Sequence, residues 1–272
     1  MLLRRGIRSR GCRASFFVAI CLLCLTTLSS FGDERVLRDG DALAAAEELL
    51  ARFEDAMGRL REYSCTFTKR EWKDGRQLPE EVIFLKFRVD PRSVYMRWIG
   101  VEKRGQELLW RPDWNEGRIH VHPGGFGSFV AVNLDPLGAK ATASSRHPVT
   151  EAGFPHLLRL LRENVGLLRE KSASGLRLYP SPEDGEGECI ILELPKWKNA
   201  DLYCYRTEFC FQKETSLPKR VRSWDFEDGD QRLVEDYMYE DLRENPEFSD
   251  ADFSPENPAY DFPGNSPSRR AW

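Results

Sequence analysis

A long succession of short runs in which apolar and polar residues alternate limits what this chain can become more than any other feature of its sequence. Tyr63, Cys65 and Phe67 alternate with Ser64, Thr66 and Thr68, and a Lys73-Asp74-Gly75 turn leads into a second run at 82–87. Further runs follow at 93–98, 106–111, 118–122, 176–179, 189–194, 203–211, 219–224 and 233–239. A period of two puts successive side chains on opposite faces, so each run reads as a strand with one dry face. Roughly nine or ten such strands in a meander form an antiparallel sheet long enough to curl. Its concave side is either filled by the chain's own helices or left hollow for a ligand, and both outcomes stay open here.

Two segments follow a helical period instead. In 41–60, Leu43, Ala46, Leu50, Phe53, Met57 and Leu60 recur at spacings of three and four, with Asp41 as the expected N-cap. Thr150 is the expected cap of a second helix carrying Phe154, Leu157, Leu158 and Leu161 to about Glu163. The expected class is therefore α+β: a curved antiparallel sheet or unclosed β-barrel with helices packed on its concave side.

The N-terminus carries Arg4, Arg5, Arg8, Arg10 and Arg13, then an apolar run over 16–25 and small residues around Ser30-Phe31-Gly32. This is the pattern of a cleavable signal peptide over 1–32. The run is short for a membrane span, since Thr26, Thr27, Ser29 and Ser30 interrupt it. The Arg4-Arg5 pair leaves twin-arginine export as an alternative to general secretion. The expected location is periplasmic or otherwise exported. The leader takes five of the 40 basic residues and none of the 44 acidic ones, leaving 35 against 44. Such an acidic chain is unsuited to a nucleic-acid partner. Of the seven cysteines, Cys65, Cys189, Cys204 and Cys210 lie beyond the leader. They form two disulfides in one of three connectivities, or stay buried thiols. Cys204 and Cys210 share one run, which favours bonds to neighbouring strands over a bond to each other. Residues 33–262 are expected to form a single domain, with 263–272 a disordered tail. Asp252-Phe253 and Tyr260-Asp261-Phe262 are placed to dock aromatic rings back on the sheet.

No GxSxG, Walker loop, HExxH or strand-bound GxGxxG occurs. His120-Val121-His122 puts two imidazoles on one strand face, with His147 and His156 more distant, but no carboxylate or cysteine stands at ligand spacing in the sequence. Polar strand residues are the plainer reading. His147, before Pro148 and a helix start, could serve as a general base or simply lie in a locked turn. Gly124-Gly125-Phe126-Gly127 reads as a turn. No catalytic residue, metal ligand or cofactor is expected.

Several segments together resemble a bacterial family, the domain of unknown function number 1571: 63–71 (YSCTFTKRE), 86–88 (KFR), 91–98 (PRSVYMRW), 105–107 (GQE) and 146–149 (RHPV). The likeness continues through 217–218 (LP), 235–242 (EDYMYEDL), Asn245, Asp252-Phe253 and 260–262 (YDF), and so spans about 43–262. The order of helix, strand 65–71, Asp74-Gly75 turn, strand 82–88, Pro91 and aromatic strand 95–98 also resembles periplasmic lipoprotein carriers of the LolA and LolB type. The segment 133–153 and the tail after Asp241 depart from that pattern. The resemblance implies an unclosed barrel whose helices cover an apolar cavity for acyl chains.

Candidate lining residues are the strand aromatics Phe67, Phe84, Tyr95, Trp98 and Trp110, for which ordinary core packing is the competing account. Arg88 and Arg97 could steer a head group or face solvent. The expectation is an exported, non-catalytic binding protein for a lipid, lipoprotein or other apolar ligand, with transient membrane contact open. A cell-envelope interaction module with a filled cavity is the alternative, and a metal-dependent enzyme the third. An apolar hollow beneath the helix at 41–60 separates the first from the second.

Overall fold

The computed structural model describes residues 37–125, 129–170, 176–180, 187–193, 203–227 and 229–265. The leader, residues 126–127 of the glycine turn and the end of the tail lie outside the described residues. In chain order the elements are β1 (Leu37–Arg38), α1 (Asp39–Arg59), β2 (Glu62–Lys73), β3 (Arg76–Gln77), β4 (Glu81–Arg88), β5 (Ser93–Trp98), β6 (Glu107–Trp110), β7 (Ile119–His122) and β8 (Val132–Leu134). There follow α2 (Ala139–Thr142), α3 (Phe154–Glu170), β9 (Leu176–Pro180), β10 (Gly187–Glu193), β11 (Arg206–Gln212), β12 (Pro218–Glu227) and β13 (Asp230–Glu244).

The strands form one antiparallel sheet in the order β1-β9-β10-β11-β12-β13-β2-β4-β5-β6-β7-β8, with β3 paired to β2 as a side branch. Two meanders are thus joined where the last strand lies beside the first long one. The path ends at β1 and β8, so the sheet is not closed into a barrel. Asp74 and Gly75 both take positive φ in the turn between β2 and β3, the backbone that tight hairpin turns demand. The short strands β1, β3 and β8 carry too few residues to display an alternation, and the sequence pattern does not reveal them.

Both helices pack on one face. On α1 the buried stripe is Ala42, Ala46, Leu49, Phe53, Ala56 and Leu60, while Leu43, Leu50 and Met57 are only partly buried. The helix is thus turned by one residue from the expected stripe. Arg38, not Asp41, holds the N-cap position; Asp41 lies in the first turn, where a carboxylate favours the helix dipole. Thr150 does not cap α3 either. It sits in a 3-10 turn, Val149–Glu151, and α3 begins only after Gly153 and runs past Gly166 to Glu170. Its buried residues Phe154, Leu157, Leu161, Val165 and Leu168 keep the helical period throughout. The two helices are bridged by Arg162 with Glu54 at 2.7 Å and Arg169 with Glu47 at 2.6 Å. Among the described residues no helix is long and apolar enough to cross a membrane.

Beneath the helices, the Tyr63 ring stacks between Phe154 at 4.4 Å and Phe87 at 5.3 Å, and the Phe154 amide donates to its hydroxyl at 3.2 Å. Cys189 and Cys210 stand directly opposite each other on β10 and β11 and form a disulfide. Cys65 and Cys204 are buried thiols. The bond thus joins neighbouring strands, and among the described residues there is one bridge, not two.

The opposite face is covered by the chain after β13. Tyr260 stacks on Tyr95 at 4.0 Å, Phe262 packs on His120 and His122, and Lys86 ties Asp252 at 2.7 Å. Glu107, fully buried, accepts bonds from the Tyr95 hydroxyl at 3.0 Å, His122 Nε2 at 3.0 Å and the Asp261 amide at 2.8 Å. The expected docking of both aromatic pairs is therefore present. Asn265 donates to the carbonyls of Pro255, Asn257 and Tyr260, so of the tail from 263 onward the first three residues are held in place. His120 and His122 do share a face, but both nitrogens of His122 are engaged, by Glu107 and by the Pro123 carbonyl. His120 donates to Asn133 at 2.7 Å.

Burial pulls the His122 pKa down, but the bonds to Glu107 and the Pro123 carbonyl outweigh it and the net shift is upward from 6.5. A raised folded pKa stabilises fully below 6.5, and that contribution is lost as pH rises through the folded value. The melting temperature of the wild type should therefore exceed that of His122→Gln most at pH 6, and the difference should shrink steadily toward alkaline pH. A pH-independent difference would exclude this linkage.

Candidate functional site

The parity of the strands decides what faces the helices. Glu81, Ile83 and Leu85 of β4, Met96 and Trp98 of β5 and Leu108 of β6 point to the same side as Phe67, Lys69 and Glu71 of β2. Helices α1 and α3 fill part of the concavity, packing on β2, the end of β4 and β10 to β13, and the rest, bordered by β2, β4 to β8, β12 and β13, stays hollow. A cavity of about 360 Å³ lies there, between these strands, the segment 140–153 and the first turns of α3. Helix α1 contributes no lining residue, so the hollow is not beneath the first helix, as the sequence suggests, but beside it.

The roof is tied down by lysines. Lys73 donates to the carbonyls of Thr142 at 2.5 Å and Ser145 at 2.7 Å, Lys69 to that of Ser144 at 3.3 Å, and Lys103 to the Ser144 hydroxyl at 2.8 Å. No residue of α2 is buried.

One end of the cavity is apolar, lined by Ile83, Leu85, Leu108, Ile119, Val121 and Leu157. The other is charged. Glu71 accepts from the Tyr237 hydroxyl at 2.6 Å, the Arg146 amide at 3.2 Å and Lys69 at 3.3 Å. Glu81 accepts from Trp98 Nε1 at 2.8 Å and from Lys103. Glu235 accepts from the Tyr203 hydroxyl at 2.5 Å, Arg146 Nε at 3.2 Å and His147 Nε2 at 2.9 Å, while His147 Nδ1 donates to Glu151 at 2.7 Å. Burial lowers the His147 pKa, yet the two carboxylates win and raise it to about 9. The Glu235 carboxyl is held below its ordinary value by the same bonds, against its burial. His156, 5.3 Å from the His147 ring, is pushed down to about 4 by burial and by its charged neighbour. Charge at this end is thus balanced pair by pair, as burial in a low-dielectric site requires.

Of the five expected lining residues, Phe67 and Trp98 border the cavity. Phe84 and Tyr95 do not: they have the opposite parity and pack under the C-terminal segment with Phe253, Tyr260 and Phe262. Trp110 shares the parity of Leu108 but is taken up by the core, with its Nε1 donating to the Gly117 carbonyl at 3.0 Å and Arg92 over its ring. Arg88 faces away from the cavity and binds Glu62 and Asp250, and Arg97 reaches Asp261. The charged end is absent from the expected site, although the sequence carries a signal for it. Lys69 and Glu71 continue the dry parity of Tyr63, Cys65 and Phe67; Glu81 precedes Ile83 and Leu85; Glu235 precedes Tyr237 and Tyr239. A charge repeated on the apolar register marks a buried polar site.

Among the described residues two groups could hold a metal ion: His147, Glu151 and His156, and Cys189, Glu208 and Cys210. In the second, both cysteines are taken by the disulfide.

The model of the family described as protein of unknown function (DUF1571) matches residues 60–262, and the chain belongs to that family. No curated protein matches the sequence. Among solved structures it is similar to an uncharacterized conserved protein from Thermus thermophilus, with 12% identity, 77% of this chain and 92% of that one covered, and a TM-score of 0.42. It is also similar to the Mycobacterium tuberculosis lipoprotein LppX, with 11% identity, coverage of 76% and 98%, and a TM-score of 0.42. A putative outer membrane lipoprotein-sorting protein domain from Vibrio parahaemolyticus is similar at 10% identity, coverage of 77% and 97%, and a TM-score of 0.36.

Gly153 separates the turn that bears His147 and Glu151 from α3. Its φ is +89°, and a Cβ there would lie 2.5 Å from the Phe87 ring. Gly153→Ala combines a left-handed backbone with a clash against a buried ring and should destabilise the fold by about 2–4 kcal/mol in urea unfolding. A loss below about 1 kcal/mol would show that the turn yields freely.

Proposed function

We propose that this member of the DUF1571 family is an exported, non-catalytic binding protein for an amphipathic acyl-chain ligand, a lipid or the lipid part of a lipoprotein. The observation that carries this reading is the division of the cavity: an apolar end of strand side chains and a charged end in which every carboxylate has a hydrogen-bonded cation. The volume of about 360 Å³ falls within the range of ligand pockets, about 300–1,000 Å³. Ten methylenes moved from water to the apolar end would contribute about 8 kcal/mol, the free energy of a micromolar complex. A polar head would then meet Lys69, Lys103 and the His147 cluster. Export follows from the basic, apolar and small-residue pattern of residues 1–32, with 33–262 as the exported domain and the end of the chain as a tail. A carrier of this kind would meet membranes or lipoproteins transiently.

The test is native mass spectrometry of the protein isolated from an envelope fraction without detergent, followed by organic extraction, beside a Leu108→Trp variant. Leu108 faces the hollow from β6 and is only partly buried, so an indole there fills the space without displacing the core. A stoichiometric adduct of acyl-chain mass in the wild type, with at least about a tenfold weaker uptake of a fluorescent fatty acid by the folded variant, supports the reading. A bare protein that takes up no probe sinks it and leaves an interaction module whose surface does the work.

A further inference from the structure

We propose that His147, Glu151 and His156 bind a divalent transition-metal ion of the zinc class at the charged end of the cavity. One ligand atom from each residue lies within 4.8 Å of the other two. Tetrahedral ligands about 2.1 Å from zinc stand about 3.4 Å apart, so small side-chain rotations suffice to close the set. All three residues come from one stretch: the loop before Pro148, the 3-10 turn Val149–Glu151 and the first turn of α3. Gly153 fixes the angle between the last two.

A second feature points to the same ion independently of the cluster. His147 donates Nε2–H to Glu235 at 2.9 Å, and Glu235, buried in the sheet, is itself held by the Tyr203 hydroxyl and Arg146. A carboxylate on the far nitrogen of an imidazole fixes its tautomer and orientation and is the usual companion of a metal-bound histidine. Here it leaves Nδ1 facing Glu151 and the cavity. Binding releases the Nδ1 proton of His147 to solvent and puts the charge of Glu151 against the ion, while Glu235, already paired with Arg146, acts through its bond to the far nitrogen of His147. Arg159 now donates to His156 Nδ1 at 2.9 Å; ion binding replaces this bond, and the exposed arginine turns to solvent. Two imidazoles and one carboxylate select zinc, cobalt or ferrous iron over magnesium or calcium. Three protein ligands leave a position open to water or to an oxygen of a bound molecule. The His120–His122 pair offers no such set, because both nitrogens of His122 are spent on Glu107 and the Pro123 carbonyl.

The full exported protein, stripped with chelator, is titrated with Zn²⁺ by calorimetry and with Co²⁺ by visible absorption. One ion per chain with a Kd below about 10 μM, and cobalt bands of a four- or five-coordinate site, are expected. His156→Ala and Glu151→Gln should each weaken binding at least tenfold, and Glu235→Gln by about 10–100-fold, whereas His120→Asn should leave it unchanged. Circular dichroism and the metal-free melting temperature identify any variant that fails to fold. His156→Ala lies on the first helical turn and tests the proposal even if changes at the more buried Glu235 do not fold. Weaker binding by the wild type, or tight binding that folded His156→Ala and Glu151→Gln retain, overturns the site.

Discussion

The pairing of β13 with β2 is the constraint on which the rest of the molecule depends. It brings the two ends of the domain together: Tyr237 and Glu71, 166 residues apart, meet at 2.6 Å. Closing a loop of that length costs about 4–5 kcal/mol of chain entropy. The ladder from Glu235 opposite Glu71 to Glu244 opposite Tyr63, and the stack of Phe67 on Tyr239 at 5.0 Å, offset it. Because the two meanders meet along this seam, the charged cavity end is built from both: Lys69 and Glu71 from the first, Glu235 and Tyr237 from the second. The His147 turn then settles on a floor that neither meander makes alone.

Keeping so many ionised groups away from water is not a route to stability, since replacement of such pairs by apolar residues is often neutral or favourable. What they do is specify. Lys69, Lys73 and Lys103 reach residues 142–145 through hydrogen bonds alone, and α2 buries none of its side chains. The stretch 142–145 of the roof is therefore positioned by polar bonds, flanked by the apolar contacts of Ala141 and Val149. The helical part of the concavity is the reverse, a close-packed layer around Tyr63, Phe87 and Phe154.

Much of this architecture is legible in the sequence, and the departures have a common physical source. A run such as 63–71 declares itself because apolar residues alternate with hydroxyl-bearing and charged ones along the sequence. Strand β4, EVIFLKFR, is less plain because both of its faces are covered, one by the helices and cavity and one by the C-terminal segment. Phe84 and Tyr95 read as cavity side chains for that reason: an aromatic residue in a strand reports burial, not which layer buries it. The parity of Ile83 and Leu85 against Phe84 holds the answer only once the second covering layer is known. The late start of α3 is hidden similarly. Thr150 has the chemistry of a cap, but the positive φ of Gly153 interrupts the helical path between it and Phe154. The disulfide partner of Cys189 depends on the β10–β11 register, which no local pattern encodes.

An unclosed sheet has two edges, and unpaired edge strands invite other chains to add on. Among the described residues the outermost strands of the path are β1, with two residues, and β8, with three. Each offers a template of only a few backbone groups, too short for a stable intermolecular ladder. Among the described residues, the brevity of these two strands thus leaves an open-sided sheet with little border on which another chain could build.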